Sequence, residues 1–307
     1  MNQPQETLFT AIIRAARPFS LFAAMLLYAL GSGIAAYLGE SIQWPVYWLG
    51  QGAVTLLQLS SFFLREYFDR AGQPPFETRP LPPPGDDEKK RPAPAPRVIF
   101  LQVAVTAMTA GAVLTVILLA GGDLGLAAFL FIGLAFVLAI LYAVPPFRLV
   151  YSGYGELVIA ILITNLFPAF AFLLQAGVLH RLLALLTFPL TFLYLAAILA
   201  QSLPAYFDDM QHNRQTMLAR LGWQRGMSLH NFLIAAAYIL LAVSVLAGLP
   251  WRLAFPAFLA LPVGIFQIWQ INSIAGGAKP RWRLLALTAM ASVGFAAYFI
   301  NLALWTN

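Results

Sequence analysis

The chain has 307 residues, of which 61% are hydrophobic and 10% charged, with a mean hydropathy of +0.78. Soluble domains carry about 25% charged residues, so this composition excludes a water-soluble globular protein and points to an integral membrane protein. The formal charge of +6 is no nucleic-acid signature, since its distribution follows topology, and the lack of cysteine excludes disulfides and thiolate-bound metal.

In chain order, residues 1–18 are mixed, with Arg14 and Arg17 at the membrane entry, and predict a short interfacial helix. Apolar runs follow at 19–38, 45–66, 98–120, 124–143, 156–176, 182–204, 227–249, 253–274 and 284–304. Each is long enough to cross a hydrocarbon core of about 30 Å as a helix. The first run is longer than the ~7–15 residues of a signal-peptide core, so it reads as a membrane helix. The expected fold is all-α: a polytopic membrane protein built as one bundle of nine transmembrane helices, a single domain over residues 1–307.

Nine spans with the N-terminus in the cytoplasm place sixteen of the eighteen Lys and Arg residues on the cytoplasmic side, leaving Arg181 and Arg252 outside. That is the asymmetry of the positive-inside rule, and it predicts a multi-pass protein of the cell membrane. The cytoplasmic connections 70–97 and 205–226 are long, while the outside ones are short. Loops of more than about 12 residues are commonly functional or disordered. Residues 84–97, rich in proline and in charges of both signs, read as a solvated linker.

Carboxylates are scarce here, and ionisable groups at membrane depth are costly enough to suggest function. Two acidic clusters close apolar runs: Arg65-Glu66-Tyr67-Phe68-Asp69-Arg70 and Tyr206-Phe207-Asp208-Asp209. Glu66 and Asp69, at i and i+3, point to one side of a helix, as do Asp208 and His212 at i and i+4 and Asp209 and His212 at i and i+3. Mg²⁺ takes oxygen ligands, few from protein and the rest from water or phosphate. Glu66, Asp69, Asp208, Asp209 and His212 are therefore the candidate metal ligands, with Asp69 and Asp208 the candidate catalytic pair. The plainer alternative is a set of solvated acids paired with Arg65 and Arg70.

Arg79, Arg148 and Arg214 lie on the same side and are candidate phosphate contacts, because the guanidinium fork matches phosphate geometry. Most arginines here are equally explained by topology. A third cluster runs from Tyr142 through Pro145, Pro146 and Arg148 to Tyr151-Ser152-Gly153-Tyr154-Gly155-Glu156. Its prolines end one helix and its glycines permit a tight turn into the next. Tyr142 and Tyr151 are candidate substrate contacts. Glu156, at a helix start, is either a substrate contact or a carboxylate favoured by the helix dipole. Among the polar residues inside helices, most of them expected to bond between helices, Asn165 and Gln201 are candidates to face the pocket.

These segments, in this order, resemble the UbiA-type intramembrane prenyltransferases over the whole chain. Arg17-Pro18-Phe19-Ser20 is similar to that family's Arg-Pro-x-Ser/Thr, and Arg65 to Asp69 to its Asn-Asp-x-x-Asp. Thr78-Arg79-Pro80-Leu81 is similar to the Arg-Pro-Leu that follows. Tyr151 to Glu156 resembles the Tyr-Arg-Gly-Leu-Gly-Glu/Asp of the dihydroxynaphthoate (menaquinone-pathway) branch. Thr216 to Gly222 resembles the Thr-Leu-x-x-Arg-Leu-Gly after the second acidic motif.

The resemblance implies nine helices, Mg²⁺ as cofactor, an isoprenyl diphosphate and an aromatic or other lipid-soluble acceptor as substrates, and prenyl transfer at the cytoplasmic face. The departures are specific. Arg65 stands where the family has Asn, Glu66 where it has Asp, and Gln73 where a later Asp is expected. Pro204 replaces Asn in the second motif and His212 falls at its second Asp. They leave open a non-catalytic relative that binds isoprenoid lipid. A transporter is a third reading, disfavoured because the acids cluster at one face rather than at the midplane.

Overall fold

The computed structural model describes residues 8–71 and 97–306, which are helical almost throughout, with no strand among them. α1 (Leu8–Ala16) packs on α3 through small buried residues, Ala11 and Ala15, and leaves Phe9 and Ile13 facing outward. Arg17 then breaks the helix in a left-handed conformation (φ 47°, ψ 62°), and Pro18 opens α2 (Pro18–Tyr37). A left-handed non-glycine residue costs about 1–2 kcal/mol, while a proline at the first helical position costs nothing because its missing N–H would be unpaired there anyway.

Among the described residues, eight helical stretches are long and apolar enough to cross a membrane: Ala11–Tyr37, Arg97–Ala120, Leu126–Ala143, Gly155–Ala176, Arg181–Gln211, Trp223–Leu246, Trp251–Ala275 and Trp282–Thr306. They contain α2, α4 (Arg97–Ala120), α5 (Leu126–Ala143), α6 and α7 (Gly155–Ile161 and Phe167–Ala176), α8 (Arg181–Ser202) with the short α9 (Tyr206–Gln211), α11 (Trp223–Leu246), α12 and α13 (Trp251–Phe258 and Leu261–Ala275), and α14 (Trp282–Thr306). The second expected run falls on α3 (Trp44–Ala71), which has 28 residues. At about 1.5 Å per residue it is long enough to span, but Gln51, Gln58, Ser60 and Ser61 lie buried along it and dilute its apolarity. The expectation of nine comparably apolar runs is therefore met at eight. The other run is a helix that spends polar side chains on its neighbours: Ser60 Oγ donates to the Ala104 carbonyl at 2.8 Å, and Gln58 Nε2 to the Ser20 carbonyl at 3.1 Å.

Two expected runs are not single regular helices. Between α6 and α7 the chain passes through a π-helical turn, Leu162–Leu166, just before Pro168. Proline supplies no N–H to the preceding turn, so the ladder widens there. α12 and α13 are likewise separate, with Pro262 in the first turn of α13. The loop expected at 205–226 is mostly helical, holding α9 and α10 (Met217–Leu221).

α3 lies along α4, α8 along α11, and α2 packs on both α7 and α14. The α2–α7 approach is backbone to backbone: a Cβ on Gly31 would stand 2.0 Å from the Pro168 carbonyl oxygen. At the end of the bundle away from the acidic clusters, Trp44 stacks on Trp305 with centroids 5.8 Å apart, in keeping with the aromatic residues that gather at membrane–water interfaces. Gly31→Val should therefore lower stability by at least about 2 kcal/mol, since overpacking a rigid backbone contact costs that much or more. Gly133→Ala, where an added Cβ meets nothing within 4 Å, should leave it unchanged or slightly raised; thermal unfolding in detergent distinguishes the two.

Candidate functional site

The last turns of α3 carry the first acidic cluster. Asp69 is engaged on both oxygens: Oδ1 accepts from Arg148 Nη2, and Oδ2 accepts from the Tyr151 hydroxyl at 2.7 Å with Arg65 Nε at 3.4 Å. Arg148 reaches it from the loop after α5, held in left-handed backbone (φ 39°), and Tyr151 closes the short 3₁₀ turn Leu149–Tyr151 that follows. Three guanidinium groups surround the Tyr151 ring: Arg148 at 4.9 Å, Arg65 at 5.6 Å and Arg214 at 5.9 Å from its centroid. Burial, and beyond it the Asp69 carboxylate, hold the phenol above its ordinary pKa, so it stays protonated and donates.

The second acidic cluster sits on α9. Tyr206 and Phe207 pack on Trp223 at the start of α11, with centroids 5.6 and 5.9 Å away, which fixes the short helix. Its two acids then differ. Asp208 is 57% exposed and Asp209 only 10%. Arg214 bridges them, 3.2 Å from Asp208 Oδ2 and 3.6 Å from Asp209 Oδ1. Asp209 also accepts from Thr216 Oγ1 at 3.3 Å. His212 folds back on its own turn, with Nδ1 2.9 Å from the Asp208 carbonyl and 3.3 Å from its carboxylate.

Glu156 is buried and caps another helix than its own. Its two carboxylate oxygens accept from the Met217 N–H at 3.1 and 3.2 Å, while Thr216 Oγ1 accepts from the Ala219 N–H at 3.3 Å. Both satisfy donors left unpaired at the start of α10. The turn before Glu156 needs Gly153 (φ 80°), because a Cβ there would stand 2.3 Å from the Arg220 side chain of α10. The Tyr151–Glu156 segment thus ties α3, the α5–α6 loop and the α9–α10 loop together.

Beneath these contacts lies a cavity of about 520 Å³, within the range of small-molecule sites. Its upper wall carries Arg14, Arg17, Arg65, Arg214, Glu156 and Asp209: four arginines against two carboxylates. Lower down come Ser20, Tyr142, Tyr194 and Gln201. The Ser20 and Tyr194 hydroxyls are 2.8 Å apart, and Gln58 Nε2 donates to Ser20 Oγ at 3.1 Å. The far end is apolar, formed by Phe22 and Leu26 of α2 and by Met290, Val293 and Ala297 of α14. A cationic head and an apolar tail suit an amphiphile with an anionic headgroup.

Of the expected site residues, Tyr142, Glu156, Asp209 and Arg214 line this cavity, as does Gln201. Asp69, Arg148 and Tyr151 form the knot beside it. Asp208 and His212 are on the more exposed side of α9. Glu66 is half-buried on α3 and outside the lining. Asn165 lies in the π-helical turn away from the cavity, bonded to Thr191 at 2.8 Å and Thr187 at 2.9 Å of α8. Arg79 falls outside the described residues. Among the described residues no three His, Asp or Glu side chains converge as a metal cluster. Tyr194 carries no local pattern that marks it as a site residue, and Thr216 is visible in the sequence only as the start of the Thr216 to Gly222 segment. Arg14 and Arg17 are visible in the sequence only as membrane-entry charges and as part of the Arg-Pro-x-Ser segment.

No family model and no curated protein matches the sequence. Among solved structures, the fold is similar to that of a UbiA homolog from Archaeoglobus fulgidus. Its complex with DMAPP and Mg²⁺ matches with a TM-score of 0.64 at 17% identity, over 96% of this chain and 99% of that one. Its complex with GPP and Mg²⁺ matches with 0.64 at 19% identity, again over 96% and 99%. At such identity the likeness is one of fold.

Glu156→Ala leaves the half-buried Met217 N–H without its acceptor, a loss of about 1 kcal/mol or more. Hydrogen exchange should speed up at residues 206–221 while the spans keep their protection. Glu156→Gln, which retains an acceptor, should exchange nearly as the unaltered chain.

Proposed function

We propose that the chain is a membrane prenyltransferase that moves an isoprenyl group from a polyprenyl diphosphate to an aromatic or other lipid-soluble acceptor. The observation that carries the reading is the cavity itself, arginine-lined at one end and apolar at the other, in a fold similar to that of a homolog solved with prenyl diphosphates and Mg²⁺. The Tyr151–Glu156 segment favours an acceptor of the quinone-precursor type. The charge asymmetry favours nine spans in the cell membrane, with the N-terminus and the site on the cytoplasmic side.

Arg17, Arg65 and Arg214 meet the diphosphate at the upper wall and stabilise charge as it develops on the departing group. Asp69 acts through them: by engaging Arg65 and Arg148 it positions the cationic wall. Phe22, Leu26, Met290 and Val293 enclose the isoprenoid chain and keep water from the allylic carbon. The donor set fits Mg²⁺ in one form. That ion is usually held by one or two carboxylates plus substrate phosphate, and Asp208 and Asp209 supply such a pair at the cavity edge. Held there, Mg²⁺ supplies Lewis-acid neutralisation of the diphosphate.

A membrane assay with labelled isoprenyl diphosphates, with and without Mg²⁺ and with mass analysis of the lipid product, tests the reading. Asp69→Asn and Asp208→Asn should each lower transfer by at least about 10²-fold, the scale of losing an electrostatic contact to a transition state, with normal membrane insertion. Wild-type turnover in either variant would sink the assignment. Binding of the diphosphate with no transfer and no diphosphate release would favour the non-catalytic isoprenoid-binding relative instead.

A further inference from the structure

We infer that Arg17 and Arg65 form a metal-independent half of the diphosphate site, gripping phosphate oxygens directly, so that the chain binds a diphosphate without Mg²⁺ and uses at most one such ion, on the α9 side. This rests on the reading of the cavity as a diphosphate site, but not on catalysis.

Away from α9 the carboxylates are already committed: Glu156 accepts from the Met217 N–H, and Asp69 from Arg148 and Tyr151 with Arg65 beside it. A multi-carboxylate cage on the α3 side would have to break the Asp69 knot, which joins α3 to the α5–α6 loop. The cavity wall near α3 instead presents the Arg17 and Arg65 guanidinium groups.

Arg17 has the features of a ligand contact awaiting its anion. It lines the cavity, lies 5.2 Å from the centroid of the Phe62 ring, and takes part in no ion pair among the described residues. Its backbone is held in the left-handed region ahead of Pro18, and such outliers persist where the surroundings over-determine them, often at ligand clamps.

Arg65 presents its Nε edge to Asp69 at 3.4 Å and its guanidinium to the cavity. It stands where the resembled motif has an asparagine, and a guanidinium brings a full positive charge and paired N–H donors to phosphate where an amide brings neutral ones.

The test is equilibrium binding of inorganic pyrophosphate and of geranyl diphosphate to the full chain in detergent or nanodiscs, in EDTA and in Mg²⁺. The chain should bind both probes in EDTA with a Kd within about tenfold of the Mg²⁺ value. Arg65→Asn and Arg17→Gln should each weaken binding in EDTA by at least about tenfold, and by less in Mg²⁺. Arg65→Lys keeps the charge but loses the fork, and should fall between, which guards against a misfolded Asn variant. With Mn²⁺ as a spin probe and pyrophosphate present, one ion per chain is expected. Undetectable binding in EDTA, or two Mn²⁺ per chain, overturns the inference even if Mg²⁺-dependent prenyl transfer is observed. Retained binding in EDTA with no transfer overturns the prenyltransferase reading and leaves this one standing.

Discussion

Charge half-buried at the end of a membrane helix is favoured beside charge of the other sign, and the Asp69 knot is where this chain brings the two together. Arg148 and the Tyr151 hydroxyl reach Asp69 from a loop nearly eighty residues later, and Arg65 approaches from the same helix. Removing one member leaves polar groups of the others without their partner. The knot therefore pins the end of α3 to the α5–α6 loop, and that loop carries Gly153 and Glu156, which hold α10. The roof of the cavity is assembled from this chain of dependencies rather than from any one element.

The bundle below is arranged to make that roof useful. α3 is the most polar of the long helices, and its buried Gln58 bonds to the start of α2, where Ser20 meets Tyr194 of α8. The polar wall thus grades from arginines through hydroxyls and amides to the apolar side chains of α2 and α14. Such a gradient matches an amphiphile with a charged headgroup and an apolar chain.

The two Tyr-Phe-Asp segments look alike in sequence and end in different roles. Tyr206 and Phe207 pack on Trp223 and leave Asp208 open, beside a buried Asp209. Tyr67 instead meets Arg97 of α4, 5.6 Å from its ring centroid, and Asp69 is drawn into the arginine knot. The environment supplied by distant residues separates an exposed carboxylate from one engaged by arginines.

Composition and apolar run length determined by themselves that this is an all-helical membrane protein. The i, i+3 and i, i+4 spacings marked the helix ends where acids gather, because local periodicity suffices to say which side chains share a face. The sequence also showed Arg65 as the oddest residue in its motif. Only the tertiary structure decided what each of these polar side chains does: Glu156 caps α10 instead of serving its own helix, Asn165 ties the π-helical turn to α8, and Asp69 is spent on Arg148 and Tyr151. Those outcomes depend on partners tens of residues away, brought close by helix packing, and no local pattern encodes which partner arrives. The same holds for Arg17, ordinary as a membrane-entry charge in the sequence, which the packing of α1, α2 and α3 turns into part of a cationic wall.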